Sequence, residues 1–144
     1  MGREDQIKIE WNSGYSVRID EFDDQHRVLF QAIDDLLQAI QMGSTVETIE
    51  DVMARLMDFT RDHFAREERF LEEHGYPDLE SHKREHGSFV NRIAEYQELI
   101  HRGEIRLSLT MLEFLVQWLT RHILGTDRKY TAYFEKQGLI SDPK

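Results

Sequence analysis

The chain has 144 residues, 40% hydrophobic and 32% charged, with a net charge of −10 at pH 7; this suits one soluble globular domain with a core of ordinary size. Such acidity argues against nucleic acid or an anionic membrane as partner, because both select for basic patches. No cysteine is present, so disulfides, thiolate ligands and iron–sulfur clusters are excluded and a reducing compartment fits.

The N-terminus, Met1 to Gln6, lacks the apolar core of a signal peptide, and Gln6 stands where a myristoylation pattern wants Ser or Thr. No stretch has the length of an apolar membrane span, and a cytoplasmic location is expected. Residues 1–19 show no helical period; Trp11, Tyr15, Val17 and Ile19 suggest an arm packed on the body.

A first helix is predicted from Asp20 or Asp23, either of which could cap it. Its apolar stripe is His26, Leu29, Phe30, Ile33, Leu36, Leu37 and Ile40, at the three-and-four spacing of one helix face. Gly43 stops it. Ser44-Thr45-Val46-Glu47 reads as a capping box opening a second helix, whose stripe includes Val52, Met53, Leu56, Phe59 or Thr60, His63, Glu67 and Leu71. After Gly75-Tyr76-Pro77, a third helix from about Leu79 to His101 turns His82, His86, Phe89, Ile93 and Tyr96 inward. A fourth carries Leu112, Leu115, Trp118, Leu119 and His122, and a shorter amphipathic stretch at about 127–136 follows. Long helices joined by short loops predict an all-α fold: an antiparallel up-down-up-down four-helix bundle with an N-terminal arm and a short C-terminal helix. The expected organisation is one domain, 1–144, with the arm at 1–19, the bundle at about 20–125 and the last helix at about 127–136.

Seven potential metal ligands fall on these inward faces: His26, His63, Glu67, His82, His86, His122 and Asp127. Residues four apart on a helix leave the same face, so His63 points with Glu67, and His82 with His86. His122 and Asp127 are five apart, about 140° on a regular helix, and can share an ion only if the helix bends or breaks; Gly125-Thr126 is the expected break. A lone histidine on an apolar stripe is usually a hydrogen-bonded core residue, and one histidine pair arises easily by chance. Five imidazoles and two carboxylates converging from four segments are different, because buried polar groups need partners. Seven ligands exceed one zinc or octahedral site and imply two metals. Ligand softness alone leaves iron, zinc, copper and nickel open. The bundle plan built on paired Glu-x-x-His motifs does not fit, since only Glu98-Leu99-Ile100-His101 matches it. His74 and His101 precede helix-ending glycines, where an imidazolium favours the negative end of the helix dipole. Glu68, Glu72 and Glu73 read as ordinary surface charge.

The spaced set H…HxxxE…HxxxH…HxxxxD, with YSVRIDEFDDQHRVLF (15–30), HFAREE (63–68), YPDLESHKREH (76–86) and WLTRHILGTDRKY (118–130), resembles the hemerythrin family, specifically its bacterial single-domain members. One departure is Arg18, where relatives often carry a small residue. The resemblance implies two non-haem iron ions per chain: His82, His86 and His122 on one, His26 and His63 on the other, with Glu67, Asp127 and an oxo or hydroxo group as bridges. Two octahedral irons so held keep one open position, on the two-histidine iron, for O2 or a small anion. It also implies an apolar ligand pocket of Leu29, Phe64, Trp118, Leu119 and Ile123, residues that any bundle core would also need, and Tyr130 as a hydrogen bonder near the centre. The expected function is reversible O2 binding for carriage, storage or delivery, without enzymatic turnover. The alternatives are an O2- or redox-sensing domain of a larger signalling protein, and a di-iron enzyme acting on peroxide or nitric oxide.

Overall fold

The computed structural model describes residues 9–104 and 108–140, so the sequence readings at Met1 to Gln6 lie outside the described residues. Helix α1 spans Asp20–Gln41, α2 Val46–Glu73, α3 Leu79–His101 and α4 Leu109–Arg121; a π-helical turn, His122–Asp127, leads directly into α5, Arg128–Lys136. The helices end where glycine supplies the left-handed conformation that other residues resist: Gly43 at φ 67°, Gly75 at 67° and Gly103 at 73°.

Cross-helix pairs establish the topology. Between α1 and α2, Phe22 meets Phe70 and His26 meets His63. Between α2 and α3, Glu67 meets His82 and Glu50 meets His101. Between α3 and α4, Phe89 stacks on Trp118 at 4.2 Å and Tyr96 approaches Phe114 at 6.5 Å. Within each pair one residue number rises as the other falls, so every neighbour is antiparallel, and α1 also packs along α4. The bundle is up-down-up-down. Its middle is a continuous apolar core that includes the fully buried Ile33, Leu36, Met53, Leu56, Ile93, Leu112 and Leu115. Burying each such side chain contributes about 1.5–3 kcal/mol.

Several local expectations are corrected. Neither Asp20 nor Asp23 caps α1; Ile19 is the N-cap and makes no side-chain cap. Asp23 is buried instead, accepting hydrogen bonds from Ser16 Oγ at 2.6 Å and Val17 N–H at 2.9 Å. It thereby ties the arm to α1, while Thr131 donates to the Val17 carbonyl at 2.9 Å and ties it to α5. Arg18 adopts φ 68°, a conformation costing a non-glycine residue roughly 1–2 kcal/mol. Its N–H donates to Ser16 Oγ at 3.1 Å and its guanidinium meets Glu135 at 2.8 Å, which help hold it there. Thr45, not Ser44, caps α2, accepting from Thr48 N–H at 3.2 Å. Of the two candidates on α2, Thr60 is buried and Phe59 is exposed.

The main correction concerns Gly125. The helix does not break there: α4, the π-turn and α5 run on without interruption from Leu109 to Lys136. An added Cβ at Gly125 would meet nothing within 4 Å, and its φ is not left-handed. The special backbone freedom of glycine is therefore unused. Gly125→Ala is expected to raise the unfolding free energy of the chain by roughly 0.5–1 kcal/mol, measured by urea or thermal unfolding; a clear loss of stability would show that the turn depends on glycine.

Candidate metal centre

The π-turn solves the five-residue spacing. With i→i+5 hydrogen bonding, residues five apart stack much as residues four apart do in an α-helix. His122 begins the turn and Asp127 ends it, and their side chains meet, with His122 Nε2 3.1 Å from Asp127 Oδ1.

All seven predicted ligands come together, and all are buried. Their donor atoms form two groups that could each hold a metal ion: Glu67, His82, His86, His122 and Asp127 in one, His26, His63 and Glu67 in the other. Glu67 belongs to both. Its Oε1 lies 2.7 Å from His82 Nε2 and 3.0 Å from His86 Nε2, and its Oε2 lies 3.6 Å from His63 Nε2. Asp127 divides in the same way. Its Oδ1 is 3.2 Å from His82 and 3.1 Å from His122, while Oδ2 is 3.3 Å from His26. Each carboxylate thus offers one oxygen to a three-histidine half and one to a two-histidine half.

Protein partners alone leave this cluster unsatisfied. His26 Nδ1 and Nε2, His63 Nε2, His82 Nδ1 and both Asp127 oxygens are buried without a well-formed hydrogen bond. The Nε2 atoms of His86 and His122 face each other at 3.1 Å, an arrangement two neutral acceptors would not choose. Orphaned buried donors and acceptors are costly, and most of these atoms point at the shared interior. Two cations there would satisfy them, so the donor set fits a pair of metal ions.

Without metal, protons carry the positive charge. Burial works to lower the His82 pKa, but contacts with Asp127 and Glu67 prevail and raise it to about 9. Burial opposes charge on His122 too, yet Asp127 and then Glu85 raise it to about 10. Burial lowers His63 to about 4, against the pull of Glu67, so it stays neutral. Burial, then repulsion from Asp127, acts to raise Glu67, and burial acts to raise Asp127, but the surrounding histidines hold both below the usual carboxylate range. Tyr130 is pushed well above its ordinary value by burial and these carboxylates, so it keeps its proton and donates to Glu67 Oε2 at 2.9 Å. The hydrogen-bonding role expected of Tyr130 is present in the geometry.

The apolar residues expected around the centre are placed as follows. Phe64 stacks on His86 at 3.7 Å and approaches His63 at 5.7 Å and His122 at 6.0 Å. Trp118, half-buried, stacks on His122 at 4.7 Å. Leu29, Leu119 and Ile123 are fully buried in the same core, one turn from His26 and beside or one turn from His122. His74 and His101 stay outside the cluster. His74 Nδ1 contacts the Phe70 carbonyl at 2.8 Å, as a helix-terminal role requires, whereas His101 pairs with Glu50 of α2 at 2.9 Å.

Three residues that the apolar stripes do not single out, Gln25, Glu68 and Glu85, hold ligand rings from behind, and a fourth, Thr126, holds Glu85. Gln25 Oε1 lies 2.5 Å from His63 Nδ1, and Glu68 accepts from His86 Nδ1 at 2.7 Å. Glu85 accepts from His122 Nδ1 at 2.8 Å and from the Thr126 hydroxyl at 2.7 Å. The His122 contact, helped by Thr126 and opposed by partial burial, lowers the Glu85 pKa to about 2. Reading Glu68 as plain surface charge is therefore corrected. Each of the four adjoins a ligand in sequence (Gln25 and His26, Glu68 and Glu67, Glu85 and His86, Thr126 and Asp127), which is the signal that could have flagged them.

Comparison with known proteins agrees with this geometry. The Hemerythrin HHE cation binding domain matches residues 17–134. A bacteriohemerythrin of Stenotrophomonas maltophilia is 36% identical over 120 residues, covering 83% of this chain and 77% of that protein. A bacteriohemerythrin of Clostridium acetobutylicum is 32% identical, covering 83% of this chain and 96% of that protein. A myohemerythrin of Theromyzon tessulatum is 30% identical, with 84% and 89% covered. A crystal structure of wild-type hemerythrin superposes with a TM-score of 0.80 at 28% identity, covering 85% of this chain and 94% of that one. The matched segment contains every one of the seven converging donors, and the chain belongs to the hemerythrin family.

Proposed function

We propose that this chain binds O2 reversibly at a non-haem di-iron centre held by His26, His63, Glu67, His82, His86, His122 and Asp127. The observation that carries the reading is the division of each carboxylate between the two histidine groups. Three imidazoles on one side and two on the other leave the two-histidine side short of a ligand, which is where a small molecule can bind. When bound, the iron pair supplies the two electrons that reversible O2 binding takes up and returns.

The protein's own groups act around that chemistry. Glu67 and Asp127 offset cationic charge in a dry interior. Tyr130 fixes one oxygen of Glu67 by donating to it. Leu29, Phe64, Trp118, Leu119 and Ile123 line the proposed pocket with apolar and aromatic surface, which excludes water and competing anions. They offer no general acid or base, so binding is favoured over turnover. The whole chain, 1–144, acts as one hemerythrin-like domain in the cytoplasm. No helix among the described residues is long and apolar enough to cross a membrane, and the net charge of −10 disfavours nucleic acid.

Two outcomes test this reading. Iron-loaded, reduced chain is expected to gain visible absorption on exposure to O2 and lose it on deoxygenation, with two irons per chain. A chain that stays colourless, or that holds only zinc, would end it. Metal loading is also linked to protons, because His82 and His122 carry theirs up to about pH 9 and 10 and must shed them to ligate. Loading at pH 7 should release about two protons from these imidazoles, and overall affinity should rise by up to about a hundredfold per pH unit up to about pH 9, by up to about tenfold per unit from there to about pH 10, and then level off. Calorimetry in buffers of differing ionisation enthalpy measures the count; no proton release would contradict the account.

A further inference from the structure

The groups behind the two halves of the centre differ in charge. Two carboxylates stand behind the three-histidine half, Glu68 on His86 at 2.7 Å and Glu85 on His122 at 2.8 Å. Behind the two-histidine half stands a neutral amide, Gln25 on His63 at 2.5 Å. The Nδ1 atoms of His26 and His82 have no hydrogen-bond partner. The outer charge is therefore −2 on one side and zero on the other.

We propose that Glu68 and Glu85 are positioning residues that make the three-histidine iron the more easily oxidised of the pair, with Gln25 leaving the two-histidine iron without such support. The inference rests on the di-iron reading above. A carboxylate that accepts from Nδ1–H draws the proton toward itself and strengthens Nε2 as a donor to the metal. Its charge also favours the higher oxidation state by simple attraction. An amide accepts the same hydrogen bond and fixes the ring, but adds no charge. The arrangement suits O2 binding. With iron bound, Glu68 and Glu85 would make the three-histidine position the readier source of an electron, and Gln25 would leave the two-histidine position without that help.

The two carboxylates are not equivalent. The Glu68 side chain is 26% exposed and that of Glu85 43%, so water screens Glu85 more. Glu85 also accepts from Thr126 at 2.7 and 2.8 Å with its two oxygens, which draws off part of its charge and fastens the π-turn to α3. Glu68 should therefore tune the iron more strongly, and Glu85 should serve more to hold His122.

The test is the midpoint potential of the iron-loaded chain, with iron counted in the same samples. Glu68→Gln and Glu85→Gln should each raise it, Glu68→Gln by more, and the double variant by most, with two irons retained. Gln25→Glu should lower it. In the half-oxidised wild-type chain, electron–nuclear double resonance should find three histidine nitrogens on the ferric ion. Potentials that stay put or fall in the glutamine variants with both irons present would overturn the inference, as would a ferric ion bearing two histidines. If the glutamine variants lose iron, Gln25→Glu and the half-oxidised wild-type chain still decide it. A wild-type chain that never holds two irons would instead refute the di-iron reading itself.

Discussion

Five imidazoles and two carboxylates buried at the centre of an apolar bundle dictate the rest of the molecule. Each group in isolation would cost several kcal/mol to bring out of water. The protein's own hydrogen bonds cover only part of that cost, since both oxygens of Asp127 and several imidazole nitrogens remain without a well-formed bond. In the metal-free chain, protons on His82 and His122 hold the carboxylates in place. Two metal ions would do so with more charge and better-directed bonds. Stability and metal loading are consequently linked, and the long antiparallel helices serve to bring seven distant positions within bonding reach.

The way the donors divide determines the chemistry. Glu67 and Asp127 each reach both histidine groups, an arrangement that would hold two cations side by side rather than one. The uneven split of imidazoles makes the pair unsymmetrical, and the outer contacts of Glu68, Glu85 and Gln25 extend that asymmetry in the same direction. Aromatic rings complete the enclosure: Phe64 on His86 and Trp118 on His122. These contacts limit ring motion and keep water from the ligands.

Much of this was legible in the sequence because helix geometry is simple. Inward histidines on α1, α2 and α3 follow the same period as the leucines around them, so the stripe that predicts the core also predicts His26, His63, Glu67, His82 and His86. The period fails at His122 and Asp127. Their spacing calls for a departure from α-helix, and sequence reasoning supplied a break at Gly125 where the backbone instead widens by one residue and continues. Nothing in composition distinguishes a π-turn from a break, since the difference lies in hydrogen bonding, not residue type. The outer residues Gln25, Glu68, Glu85 and Thr126 escaped for another reason. A residue next to a ligand points about 100° away on the helix, a flank that periodicity assigns to solvent. Only the packing of a neighbouring helix turns that flank into the back wall of the site. Asp23 behaved similarly: its position suggested a helix cap, whereas the folded arm made it a buried anchor.

The arrangement of these donors calls for a pair of metal ions between Glu67 and Asp127. Crystals of the iron-loaded chain, measured for anomalous scattering at the iron absorption edge, test it directly. Two peaks should appear, one enclosed by His82, His86 and His122 and the other by His26 and His63, with both carboxylates between them. A single peak, or iron bound elsewhere on the surface, would contradict it.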